Sequence, residues 1–345
     1  MQTFLERLDS EARDLLFALA RPVCHAKGER LTRYGDLSRG AYILEEGAAE
    51  ATVLLPGGEK LTVAKLEAGS VFGEMALVER GTCTATVSAS ETLTGWFIER
   101  DDFRSLVAQR VPAALRIQHA LTLTLSDKLR TLNAKVLEVP APEDKPRKSG
   151  SEPDSDPLAK VARLKQGSFD FKPFLPHLPF FEGFDQSEIA EIVSVSSLLE
   201  LPRGHAVFIH GQPSTACFIV VRGAVEIRAH HSARERRMAV LGPGQLLGYM
   251  SALERGTHGS DAVVREQALL LEIPSKDFEK LYFGSSPASS RLHRVIQKSL
   301  LYSLGQTNRH LTRLISQARL RGAEKEGVEL EKAYGGQIIA AASAA

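Results

Sequence analysis

The 345-residue chain has little that reacts or inserts. It holds three cysteines, Cys24, Cys83 and Cys217, with no CxxC spacing. An odd, sparse set argues against a disulfide framework and suits reduced thiols in a cytoplasm, each acting as a small buried hydrophobe. No run of 18 apolar residues exists, so no transmembrane helix is expected. The N-terminal stretch MQTFLERLDSEARDLL carries acids where a secretory leader needs an apolar core. The formal net charge is +1, which offers no chain-wide field for a nucleic acid or a membrane. Enzyme signatures are missing as well: no HExxH, GxSxG, Walker loop or clustered metal-ligand spacing. The His230-His231 pair, read as lying in a hairpin loop, has no partners in sequence to make a metal site. These absences lead us to expect a cytoplasmic protein that is not an enzyme and holds no metal.

What the chain does have is an internal repeat. Residues 71–87 read VFGEMALVERGTCTATV and residues 246–263 read LLGYMSALERGTHGSDAV. Phe72, Gly73, Met75 and Glu79 to Thr82 align with Leu247, Gly248, Met250 and Glu254 to Thr257 at a spacing of 175. Upstream, Gly28, Gly35 and Gly47 recur as Gly204, Gly211 and Gly223 at 176, so one residue is deleted between Gly223 and Gly248. A period this long means two copies of one domain.

Periodicity sketches each copy. Residues 1–20 place Phe4, Leu5, Leu8, Leu15, Leu16 and Leu19 at helical spacing. From 22 to 100 the period falls to two and glycines punctuate short runs, with Pro56-Gly57-Gly58 as a hairpin turn. Residues 101–137 return to helical spacing, where Leu125, Leu129, Leu132 and Val136 form a coiled-coil-like seam. The second copy repeats the plan: helix at 186–200, strands at 201–273, helix at 275–320, with Leu304, Asn308, Leu311 and Ile315 in the matching seam. PAPEDKPRKSGSEPDSDP (140–157) is too polar to offset its ordering entropy. Its KPRK run (145–148), next to Ser149 and Ser151, is either a solvated charge cluster or a docking and phosphorylation segment. The domains are therefore 1–137, a disordered linker 138–167, 168–320, and a loose tail 321–345 with a short helix at 323–333. The fold class is α+β, mainly β: two β-roll, jelly-roll-like domains, each flanked by helices.

Short helices, a glycine-punctuated β-roll, an FGEMAL segment and a long helix together resemble the cyclic-nucleotide-binding domain family. The likeness spans roughly 1–137 and 168–320 and rests on Gly28, Gly35-Asp36, Gly47, Gly69, Phe72-Gly73-Glu74, Ala76-Leu77 and Ala85-Thr86-Val87. The resemblance implies a nucleotide pocket built from Gly73, Glu74, Met75, Ala76, Arg80, Cys83 and Thr84. Gly73 would let the backbone approach closely, and the turn after it would offer N–H groups to a phosphate. Glu74 is either a ribose ligand or an inherited helix-capping acid. The family places an arginine two residues before the A-T-V strand, and here that residue is Cys83. The second copy has Gly248, Tyr249 and His258 at the matching positions and so lacks both acid and arginine. Losing one member of a desolvated charge contact costs about 2–5 kcal/mol, which is roughly 30- to several-thousand-fold in affinity.

Two substitutes are open. Arg80 either folds back toward the phosphate or sits on a surface turn with its counterpart Arg255. His258 either protonates to make a weak phosphate contact or is a neutral loop histidine. Tyr249 either fills its own pocket or stacks on a ligand. No helix-turn-helix pattern follows either long helix, which argues against sequence-specific DNA binding. In layout the chain resembles the tandem-domain regulatory subunits of cyclic-AMP-dependent kinase, without the RRxS-type inhibitor segment. The first expectation is a non-catalytic regulatory or scaffold protein that works through an unidentified protein partner, its nucleotide affinity weak or lost. The alternatives are a sensor of cyclic AMP, cyclic GMP or a cyclic dinucleotide in the first domain and, more weakly, a DNA-associated regulator. A flexible linker of about 30 residues reaches roughly 30 Å. That lets helices 113–137 and 290–318 pair within one chain as a pseudo-dimer, the other option being a homodimer through the same helices.

Overall fold

The computed structural model describes residues 3–54, 60–138, 145–146, 157–159, 161–164, 172–231 and 234–320. The Pro56-Gly57-Gly58 turn, the 147–151 stretch and the tail with its expected helix lie outside them. The chain divides into two compact units. Unit 1 comprises Met1–Val139 and Gln297–Ala345, and unit 2 comprises Pro140–Ile296.

Unit 1 begins with helix α1 (Ser10–Leu19), whose first turn is capped by the Asp9 carboxylate accepting from the Ala12 N–H at 2.8 Å. Strands β1 (Ala20–His25), β2 (Arg30–Thr32), β3 (Gly40–Glu46), β4 (Ala49–Leu54), β5 (Lys60–Leu66) and β6 (Val71–Phe72) follow, then helix α2 (Met75–Val78). Strands β7 (Thr86–Ala89) and β8 (Leu93–Glu99) close the roll, and helices α3 (Arg100–Ala108) and α4 (Pro112–Glu138) complete the set. The strands form two four-stranded antiparallel sheets, ordered β1-β8-β3-β6 and β2-β7-β4-β5. One apolar cluster joins Phe4, Leu8 and Leu16 of the N-terminal segment to Ile43, Ile98, Phe103, Ile117 and Leu121. Leu77 of α2 belongs to the same cluster, so the short helix is anchored in the core. The α4 seam is buried as its spacing predicts, with Leu125, Leu129, Leu132 and Val136 all nearly inaccessible.

Unit 2 contains β9 (Lys145–Pro146), β10 (Arg163–Leu164), α5 (Gln186–Ser194), β11 (Ser197–Leu201), β12 (Ala206–Phe208), β13 (Ala216–His231), β14 (Arg234–Leu241), β15 (Leu246–Leu247), α6 (Tyr249–Leu253), β16 (Asp261–Pro274) and α7 (Ser275–Phe283). Helix α8 (Pro287–Leu320) starts here, and its residues from 297 onward belong to unit 1. Asp185 and Glu188 form a capping box at the start of α5. That helix ends at Ser194, not at 200, because Leu198 to Leu201 instead pair with β16, with Leu199 and Leu201 entering the sheet interior. His230 and His231 close strand β13 and do not occupy a loop.

The repeat is visible in the backbone. Gly28, Gly35, Gly47, Gly69 and Gly73 have φ of 86, 84, 82, 83 and 71°, and Gly204, Gly211, Gly223, Gly244 and Gly248 have 87, 86, 84, 78 and 77°. A Cβ on Gly47 would lie 2.3 Å from the Thr92 carbonyl oxygen, and one on Gly223 would lie 2.2 Å from that of Gln267. Both positions therefore demand glycine for conformation and for space. The pairing of Gly69 with Gly244 narrows the one-residue deletion to the β13–β14 hairpin region.

Two boundaries differ from the sequence expectation. Part of the expected linker is structured: Leu158 is buried, Val161 packs against the same cluster, β10 pairs with β11, and β9 pairs with β14. A few apolar residues within a polar stretch were enough to cover the edge of the sheet. The second correction is that residues 297–320 join unit 1 rather than the second copy. Among the described residues, no helix is long and apolar enough to cross a membrane.

Candidate functional site

The FGEMAL segment turns sharply. β6 ends at Phe72, Gly73 takes a left-handed φ of 71°, and α2 starts one residue after Glu74. A Cβ on Gly73 would stand 2.7 Å from the Gly40 carbonyl oxygen. Glycine at this position therefore also permits a close approach to strand β3. The turn also uses its own donors, with the Ala76 N–H bonded to the Gly73 carbonyl at 2.9 Å and that of Leu77 to Glu74 at 3.1 Å. The Ala76 N–H, within the 73–76 backbone expected to face a phosphate, is thus already paired.

Above the turn opens a cavity of about 450 Å³. Gly73, Glu74, Met75, Ala76, Arg80, Cys83 and Thr84 all line it, so the structure gathers the whole set that the sequence proposed for the first copy. Its apolar wall includes Ala51, Leu66, Phe72 and Val87. Phe72 is held in place by stacking on Tyr42, with ring centroids 4.9 Å apart and planes within 7°. Burial raises the Tyr42 phenol above its ordinary value, so the ring stays neutral.

Glu74 is 3% exposed, and its carboxylate accepts from Lys128 Nζ of α4 at 2.5 Å. It makes no side-chain cap to α2, which removes the capping reading. Lys128 itself lines the cavity, as do Lys298 and Leu301 of α8. Neither lysine was among the residues expected from the sequence. Lys128 follows Leu125 by three residues and precedes Leu132 by four, so it lies on the apolar stripe of α4, and that placement was the available signal. Arg80 is largely exposed and stands 4.0 Å from Asp101, closer to the surface-turn reading although it borders the cavity.

Cys83 is half-buried, its N–H bonded to the Asp36 carbonyl at 2.7 Å while its own carbonyl accepts from Gly35 at 2.8 Å. Burial pushes its thiol above the ordinary value. Cys217 is fully buried and pushed far higher, whereas Cys24 is exposed, contrary to the buried role expected for it.

In unit 2, His258 makes the same backbone bonds as Cys83, to Gln212 at 2.9 Å and from Gly211 at 2.8 Å, which establishes the two as equivalent positions. His258 lies in the loop between α6 and β16, but its side chain is buried. It is 3% exposed and stacks on Phe208 with centroids 3.9 Å apart. Gly248 supplies the left-handed turn before α6, and Tyr249 is buried. Arg255 is exposed and holds Glu279 through two contacts of 2.9 and 3.0 Å. At the positions matching Glu74 and Cys83, the second copy has a buried tyrosine and a histidine stacked on Phe208.

The ion pair predicts a strong coupling. Removing one partner of a buried pair leaves an uncompensated charge. We expect Glu74→Gln and Lys128→Met each to destabilise unit 1, with a coupling energy in the double-mutant cycle of about 0.5–3 kcal/mol. Urea unfolding followed by Trp96, the only tryptophan of the chain, reads this out. The thiols predict a pH order, because the thiolate is the reactive form. Iodoacetamide should label Cys24 first, Cys83 only as the pH rises above the ordinary thiol range, and Cys217 only on unfolding. Mass spectrometry of peptides after labelling across a pH series checks the sequence of events.

Comparison with known proteins agrees with this architecture. The model for the cyclic nucleotide-binding domain matches residues 22–110 and 198–285. A cyclic AMP receptor protein of Thermus thermophilus is 37% identical over 78 residues, 22% of this chain and 36% of that protein. Glutaminase 1 of Bradyrhizobium diazoefficiens is 35% identical over 135 residues, 39% of this chain and 21% of that enzyme. The chain thus spans about a third or less of the length of these two relatives. The cAMP-bound regulatory domain of Toxoplasma gondii PKA covers 88% of this chain and 93% of its own at 16% identity, with a TM-score of 0.33. With matches that together cover half its length and fall once in each repeat, the chain belongs to the cyclic nucleotide-binding domain family.

Proposed function

We propose that this chain is a non-catalytic regulatory protein whose first unit binds a cyclic nucleotide or cyclic dinucleotide and whose second unit keeps the fold as a filled copy. The observation that carries this is the cavity of about 450 Å³ over the FGEMAL turn, lined by all seven expected residues. Small-ligand sites fall between about 300 and 1,000 Å³, mostly apolar with a few polar groups. The buried Glu74 supplies an acceptor for a ribose hydroxyl, and Phe72 and Val87 supply surface for a base. This favours the sensor reading over the ligand-free scaffold that composition and the missing arginine first suggested. The likeness to a cyclic AMP receptor protein supports the ligand class. The glutaminase likeness covers 21% of that enzyme, so its activity is not carried across.

We further propose that the chain pairs its long helices internally. In unit 1, Gln297 of α8 donates to Thr122 of α4 at 3.0 Å, and Thr307 donates to Asn133 at 3.1 Å. Buried polar contacts of this kind support a fixed register.

Thermal unfolding with cyclic AMP, cyclic GMP and cyclic di-GMP tests the ligand. A ligand at about 100 times its dissociation constant adds about 2.7 kcal/mol. A rise in Tm with one of them, lost in Glu74→Ala, is the expected result. No shift with any of the three returns the scaffold reading. For the pairing, sedimentation equilibrium should give 37.6 kDa, and twice that mass means that the helices pair between chains.

A further inference from the structure

The cavity of unit 1 has a charge arrangement of its own. Five of its lining residues carry charge: Glu74, Glu79, Arg80, Lys128 and Lys298, three cations against two carboxylates. The strand side offers none at the position where the family has arginine, because Cys83 stands there with a thiol whose raised pKa keeps it neutral. Lys128 is engaged by Glu74. Arg80 points along the surface toward Asp101. Lys298 is exposed and lines the cavity from α8. Leu301, three residues on and on the same helical face, is 3% exposed and lines it too. That fixes the face of α8 turned to the cavity and brings the Lys298 stem along it.

We infer that Lys298, seconded by Lys128, holds the anionic phosphate of the ligand, so that the positive charge of the site comes from helices α8 and α4 instead of from the β-roll. A lysine acts here as a point charge on a flexible stem, which suits a phosphate diester without demanding the forked geometry of arginine. When a ribose hydroxyl donates to Glu74, Lys128 is released in part toward the same anion. The inference rests on the nucleotide reading of the cavity. It adds that the ligand class is one bearing a phosphate, and that a nucleoside lacking one forgoes the lysine contacts.

Isothermal titration of the full chain tests this with cyclic AMP, cyclic GMP and cyclic di-GMP, and with adenosine and guanosine as uncharged probes. Lys298→Met should weaken the nucleotide that binds by about tenfold, equivalent to about 1.4 kcal/mol. It should also flatten the salt dependence of binding, leave the nucleoside unaffected and leave Tm unchanged. Lys298→Arg should restore affinity to within about twofold, since charge and reach are retained. If the wild type binds a cyclic nucleotide and Lys298→Met binds it equally well, the lysine assignment is overturned while the nucleotide reading stands. If the wild type binds none of the probes, the nucleotide reading fails and the assignment with it.

Discussion

A carboxylate buried to 3% exposure sets the terms for unit 1. Leaving Glu74 unneutralised in that position would cost several kcal/mol. Lys128 answers it, and Lys128 sits on α4. The FGEMAL turn can therefore be well made only when α4 is docked against it. α4 is held in turn by Ile117 and Leu121 in the core, and by the hydrogen bonds that Gln297 and Thr307 of α8 give to Thr122 and Asn133. One ion pair thus ties the FGEMAL turn to α4, which also makes ion pairs to the N-terminal segment through Asp127 with Arg7 and Arg116 with Asp9 and Glu11. Hydrophobic burial supplies most of the stability, and the buried charge pair adds a contact that any misplacement of α4 would leave unpaired.

The two repeats show how far one backbone frame can be kept while its contents change. Five glycines in each copy share left-handed φ values, and the bonds of Cys83 to Gly35 and Asp36 recur as those of His258 to Gly211 and Gln212. Within that frame, unit 1 pairs its acid with a lysine and leaves about 450 Å³ open. Unit 2 has Tyr249 in place of the acid and stacks His258 on Phe208. Exchanging a carboxylate for a ring removes the need for a counter-charge and gains buried apolar area. A buried acid with a counter-charge and a buried ring are alternative solutions at the same position.

How much of this was legible follows from what each residue type can do alone. The glycine frame was readable because a left-handed φ next to a neighbouring carbonyl excludes every other residue, so Gly47 and Gly223 declare themselves. The seam of α4 was readable because helical period and burial coincide. The seven residues around the first cavity were readable as a group because they lie on one continuous segment. Lys128 and Lys298 were not, since a lysine on a helix is ordinary until the element it faces is known. Gly73 was given the right conformation, but spacing could not show that it also packs against the Gly40 carbonyl of β3. The structured part of the linker was missed because composition averages over Leu158 and Val161, and those two residues decide.

Moving positive charge from a strand to helices changes what occupancy of the site reports. An arginine on the β-roll would let the roll bind a phosphate by itself. With Lys298 on α8 and Lys128 on α4 both lining the cavity, affinity in the proposed site would depend on both helices being in place. Linkage makes this reciprocal: whatever factor the docked helices add to ligand affinity, the ligand adds to helix docking. A substitution in the α4–α8 contact, remote from the cavity, then has the same thermodynamic standing as one in its lining. The ion pair gives that coupling its sign. Glu74 holds Lys128 in the structure, and in the proposed site a ligand hydroxyl competing for Glu74 would hand the lysine to the phosphate, so that neither charge would be stranded.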